Sequence, residues 1–255
     1  MTLSVDGASY LALLLASVRV IAWLAVVPPF ASRGIPAMAK VVLALGLSMA
    51  MAPTLAEQPL PDDAIALGVS VLAQAIIGLG MGYVTMLLFS VIGAAGALID
   101  VFGGFALAQA FDPLGMNMNT VFGRFHQMLA TALLLVTGGH LLVIGGLLST
   151  FRYLPLTGMP DVDGWPDVLV TAFSMFFTIA VQIALPMIAV LFVADLALAL
   201  LTKVAPHLNA FNVMFPAKVG LTLLLLGLSF PMLPDTTERI VELANEAMAQ
   251  MAGAA

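Results

Sequence analysis

KVAPHLNAFNVMFPAKVGLTLLLLGLSFPML, residues 203–233, joins two strongly apolar runs through a polar crossing. Lys203, His207, Asn209, Asn212 and Lys218 gather at the crossing, and from Leu221 to Leu226 the chain carries no charge. Lys and Arg resist translocation across a bilayer, so this pattern reads as a membrane hairpin whose basic, Pro-containing bend stays in the cytoplasm.

Outward from that hairpin the composition keeps the same character. Hydrophobic residues make up 62% of the chain and charged residues 9%, with a mean hydropathy of +1.12. A soluble domain carries roughly 25% charged residues, so too little polar surface exists here to cover a water-exposed globule. The chain reads as an all-α, polytopic membrane protein. Cysteine is absent, which excludes a disulfide framework and thiol-ligated zinc. A net charge of −6 without a Lys/Arg cluster argues against nucleic acid as a partner. The opening MTLSVDGASYLALLL has neither a basic leading region nor a small-residue cleavage site, so it reads as a retained first span rather than a signal peptide.

A spanning helix needs about 20 predominantly apolar residues, and about six runs qualify: 9–30, 39–56, 64–91, 127–149, 168–201 and 219–233. Pro186 is expected to kink the fifth, because it removes a backbone donor and crowds the preceding turn. Basic residues fall in alternate connections: Arg33 and Lys40, then Arg124, then Lys203 and Lys218. That alternation predicts both termini outside, with Arg152 and Arg239 as exceptions. The stretches 53–63 and 150–167 are ordinary loops rich in Pro, Gly and Asp. Residues 236–251 place Ile240, Leu243, Ala247, Met248 and Met251 on one face, predicting a short amphipathic helix. Its acidic other face disfavours a membrane surface and favours packing on a neighbour.

Several residues stand out against this background. Arg19, inside the first run, either snorkels to an interface or makes a buried contact with another helix or subunit. Gly78 and Gly82 have G-x-x-x-G spacing, which lets helix backbones approach within this chain or against a partner; Gly93, Gly96, Gly103 and Gly104 follow. No Lys-Ser/Thr follows these glycines, so they form no phosphate loop. FALAQAFDPLGMNMNTVF, residues 105–122, contains the turn signature Asp112-Pro113-Leu114-Gly115 and then Met116, Asn117, Met118 and Asn119. Irregular backbone beside apolar helices survives where protein buries it or where it lines a wet cavity, and flexible Met side chains suit a loosely closed pore. An ordinary extramembrane loop is the alternative. Asp100 and Asp195 are intramembrane acids without a sequence-local partner, to be read as interhelical hydrogen bonds or as proton relays. His126, His140 and His207 are scattered with no metal-ligand spacing, so no metal site and no cofactor are expected.

Taken in order, these pieces resemble the FliR family, the flagellar biosynthesis and type III secretion export-gate membrane proteins (the SctT-like superfamily). The carriers are S-V-R-V-x-x-W with Arg19, then Pro28, Pro29 and Phe30, Ile35, Pro36 and Lys40. They continue with Phe111-Asp112-Pro113, the Gly139–His140 pair, and Pro206, Asn209, Phe215, Pro216, Lys218, Gly220 and the Leu run to Pro231. Gly138 stands where the family more often has an acidic or amide residue. The resemblance implies one export-gate membrane domain over 1–255, with N-terminal helices in 18–149, a plug loop at 105–122, a C-terminal hairpin at 168–233 and a tail helix at 236–251. It implies assembly in the bacterial inner membrane with FliP and FliQ subunits into a helical channel, with FlhB at the entrance and unfolded rod, hook and filament proteins as cargo. Phe111, Asp112, Pro113 and the 116–119 stretch would plug the pore. Arg19, Asp100, His140, Asp195, Lys203, Asn209, Phe215, Pro216 and Lys218 would serve assembly, and Gly78, Gly82 and Gly220 helix packing, with no catalytic chemistry. The virulence injectisome counterpart shares this pattern. A secondary transporter predicts paired broken helices in inverted repeats, which are not found. An intramembrane protease lacks its nucleophile and metal motifs.

Overall fold

The computed structural model describes residues 7–32, 34–105, 120–205 and 210–254, and these are helical with no strand among them. The helices are α1 (Gly7–Val26), α2 (Ala37–Leu55), α3 (Ala64–Phe89), α4 (Val91–Gly103), α5 (Val121–Val136), α6 (Gly139–Tyr153), α7 (Trp165–Val204), α8 (Ala210–Leu226) and α9 (Leu233–Met251). Among the described residues, five helical stretches are long and apolar enough to cross a membrane, or up to six if α5 and α6 count as one broken span. The all-α, multi-span class expected from the sequence is therefore the class observed.

The boundaries differ from the apolar runs in several places, the last run among them, since 219–233 divides between α8, which ends at Leu226, and α9, which starts at Leu233. The run 64–91 does not stop there: after a single-residue turn at Ser90 it continues as α4 to Gly103, and Gly104 then ends it with φ 84°. The run 127–149 is not one helix. It breaks at Gly138, whose φ of 78° an L side chain rarely adopts, so α5 ends and α6 starts there. α7 continues as one helix of 40 residues through Pro186.

The chain divides into two compact units, one of residues 1–88, 138–173 and 240–255, the other of 89–137 and 174–239. In the first unit α1 packs along α2. α3 lies against α1 through Gly78 and Gly82: a Cβ at Gly78 would run into the Arg19 carbonyl, and one at Gly82 would sit 3.3 Å from the Trp23 carbonyl. α9 buries Ile240, Ala244, Met248 and Met251. Its Asn245 and Met248 meet Gly146 of α6, while Trp165 donates from Nε1 to the Met251 carbonyl at 3.1 Å. The amphipathic tail thus packs on its own chain, and of the face read from its spacing Ile240, Ala247, Met248 and Met251 are buried while Leu243 is half-buried.

In the second unit α4 packs along α5, drawn close where Gly96 leaves room for the Phe122 backbone. α8 reaches the end of α4, with Thr222 against Gly103. α7 buries Ile179, Ile183, Ala184, Met187 and Leu191 on one side and exposes Phe177, Leu185, Phe192 and Leu196 on the other.

Candidate functional site

Within apolar helices a polar side chain must find its partners inside the protein, because hydrocarbon offers none. Three such clusters organise this chain, and each is built by residues far apart in sequence.

The first surrounds Arg19, which is fully buried in α1. Its Nε donates to Gln74 Oε1 of α3 at 2.6 Å, Nη1 to Thr150 Oγ1 of α6 at 3.2 Å, and Nη2 to the Leu154 carbonyl at 2.8 Å. The guanidinium lies 4.0 Å from the centre of the Phe151 ring, a cation–π contact. Gln74 passes the network on by donating to the Leu156 carbonyl at 2.9 Å, and the Thr150 hydroxyl donates to Leu147 at 2.6 Å. Arg19 does not snorkel. It ties the end of α6 and the connection after it to α1 and α3. A planar fork with several fixed donors spans these acceptors, which a single ammonium cannot do.

The second cluster gathers where α5 begins. The first N–H groups of a helix lack partners within it, and here Asp100 of α4 supplies them. Its Oδ2 accepts from Phe122 N at 2.9 Å and from Gly123 N at 3.1 Å, and the side chain is fully buried. A carboxylate at that end also meets the positive pole of the helix. His126, likewise buried, has Nδ1 2.9 Å from the Phe122 carbonyl and Nε2 3.2 Å from Ser229 Oγ. Phe105 and Phe122 stack edge to face at 4.7 Å, so the end of α4 and the start of α5 are joined by a ring contact and a carboxylate.

The third is an ion pair on neighbouring apolar helices: Lys218 Nζ of α8 lies 2.7 Å from Asp195 Oδ2 of α7. It is the ion pair among the described residues.

The remaining sequence-derived residues distribute as follows. Lys203 is exposed in the last turn of α7, where a cation meets the negative end of the helix. His140 is half-buried in the first turn of α6, and Pro216 is exposed within α8. Gly220 of α8 faces open space among the described residues. Phe215 belongs to α8 by its backbone. Phe111, Asp112, Pro113, Met116, Asn117, Met118, Asn119 and Asn209 lie outside the described residues. Among the described residues no three His, Asp or Glu side chains group closely enough to hold a metal ion.

Sequence reasoning missed Gln74, Thr150 and Ser229 as partners. Gln74 alone had a visible signal, an amide inside an otherwise apolar run; Thr150 sat in a stretch read as loop. Asp195 has no partner near it in sequence because its partner, Lys218, is 23 positions away on the next helix.

The helices and their internal polar ties define a multi-pass all-α membrane protein. Residues 10–244 match the family model described as bacterial export proteins, family 1. The chain is 35% identical to the flagellar biosynthetic protein FliR of Pectobacterium carotovorum, over 88% of its own length and 85% of that protein. It is 31% identical to FliR of Escherichia coli K12 over 87% and 85%. It is 28% identical to the Yop proteins translocation protein T of Yersinia pestis over 71% and 70%. The chain belongs to the FliR family of bacterial export proteins.

Proposed function

We propose that this chain is a subunit of the flagellar type III protein export gate in the bacterial inner membrane, with both termini in the periplasm. In this reading it acts as one membrane domain, assembles with FliP and FliQ subunits into the channel and meets FlhB at the entrance. Unfolded rod, hook and filament proteins pass through, and the chain itself performs no chemistry. The observation that carries the reading is the extent of the likeness to FliR, 35% identity across 88% of the chain. The packing supports it: α7 leaves Phe173, Phe177, Leu185, Phe192 and Leu196 exposed for lipid or for neighbouring subunits. Arg19, Asp100, Asp195 and Lys218 hold the subunit's own frame, and with His140 and Lys203 they serve assembly.

Phe111, Asp112, Pro113 and the 116–119 stretch act as the plug. Deleting 116–119 is expected to raise small-ion leakage through an assembled gate; unchanged leakage would remove these residues from pore closure. The gate reading is tested by secretion of hook protein and flagellin in a strain lacking only this gene. Loss of both, restored by a plasmid copy, supports it, and normal secretion with no second copy present ends it.

A second reading, the injectisome counterpart, draws on the likeness to the Yop translocation protein. It predicts loss of needle and effector secretion with flagella intact, the reverse of the first.

A further inference from the structure

The α7–α8 ion pair sits in a seam, not on an outer face. α7 turns Ile183, Met187 and Leu191 inward, and Asp195 follows Leu191 by four residues on the same side. On α8, Lys218 is followed by Thr222 and Leu225, both buried, at helical spacing. Phe192, Leu196, Leu223 and Leu224 occupy the exposed sides. The two charged side chains are only 34% and 16% exposed. The same stripe of α8 reaches the end of α4. A Cβ at Gly103 would lie 2.8 Å from Thr222 Cγ2, and one at Gly104 would lie 3.6 Å from Lys218 Cδ.

We propose that Asp195 and Lys218 form a charge clasp that positions the end of α4. A lone ammonium in an apolar seam is drawn toward water along its flexible stem. The Asp195 carboxylate removes that pull, so the methylenes of Lys218 stay against Gly104 and Thr222 stays against Gly103. The direction in which the chain leaves α4 is thereby set by α7, acting through α8. Both residues are positioning residues, acting on the end of α4 through α8. The clasp needs opposite charges facing each other, and for the Thr222–Gly103 contact which helix carries which sign is secondary, whereas the Gly104 contact needs the stem of Lys218.

The chain contains no cysteine, so a G103C/T222C pair reports the α4–α8 contact alone, at a separation a disulfide can bridge. Crosslinking is measured in native membranes of the complete export strain, alongside the amount of inserted protein. A crosslink is expected in the otherwise unchanged chain, a several-fold loss on adding D195N or K218Q, and recovery on adding D195K/K218D. A crosslink insensitive to D195N and K218Q overturns the proposal, as does a charge-swapped chain no better than the single variants. Where a single variant fails to insert, the swapped chain decides: insertion with crosslinking supports the clasp, and failure overturns it. The inference rests on the export reading only for a secretion measurement on the same strains, where D195N should reduce export and the swap restore it. Intact crosslinking behaviour with export unaffected by loss of the gene would sink the export reading and leave the clasp standing.

Discussion

Arg19 shows how one residue can be costly and indispensable together. A central Arg is unfavourable by about 2.5–3.5 kcal/mol on insertion scales, yet here it satisfies acceptors on two other helices and a loop carbonyl. Replacing it with Leu removes the buried charge but strands Gln74, Thr150 and the Leu154 carbonyl, each at about 1–3 kcal/mol. R19L is therefore expected to lower the unfolding midpoint of the detergent-purified protein substantially. R19K should fall between, since an ammonium keeps the charge and loses the fork; an R19L midpoint at the native value would contradict this account. Asp100 separates two roles by a similar comparison. As a helix cap it needs an acceptor, which Asn still provides, whereas Ala leaves two N–H groups unpaired at about 1–2 kcal/mol. D100N should keep most export and D100A should lose stability. Abolished export by D100N in a fully assembled complex would restore the proton-relay reading.

Helices in this chain approach one another where glycine permits and lock where a polar or large side chain follows. Gly78 and Gly82 carry α3 onto α1, Gly96 brings the start of α5 onto α4, and Gly146 admits Asn245 and Met248 of α9. The amphipathic period of 236–251 was legible because one face is apolar. Its docking site was not, since a glycine in α6 carries no signal naming its neighbour. The break between α5 and α6 was equally hidden: TGGH lies inside a long apolar run, and hydropathy does not report a backbone angle. Placing a carboxylate at Met248, fully buried against Gly146, sets an unpaired charge into the α6–α9 contact. M248D is expected to destabilise the protein by several kcal/mol, and Q250D on the exposed side to be nearly neutral. Thermal unfolding of the two side by side checks this, and equal midpoints would mean that α9 is not held through that face.

At the scale of the whole molecule, charge and packing bear on the same question of topology. The connections after α2 and after α6 lie side by side: Gln58 Nε2 donates to the Phe151 carbonyl and Leu156 N donates to Gln58 Oε1, each at 3.4 Å. If the alternation of basic residues sets the topology, Asp62, Asp63, Asp161 and Asp163 all face the periplasm. Because the chain lacks cysteine, D62C and D163C should both react with a membrane-impermeant maleimide added to intact cells with a permeable outer membrane, while K203C should not. Labelling of K203C with protection of the other two would invert the topology. The sequence by itself determined the membrane class, the approximate spans, the alternation of charge and the family likeness, because apolarity and charge belong to each residue singly and accumulate along the chain. Only the tertiary structure decided that Arg19 pairs with Gln74 and Thr150, that Asp100 caps α5, that Asp195 meets Lys218, and that Gly138 breaks a run of spanning length. Those outcomes depend on which two distant segments come within hydrogen-bond reach, or on one backbone angle, and neither quantity is carried by the residues one at a time.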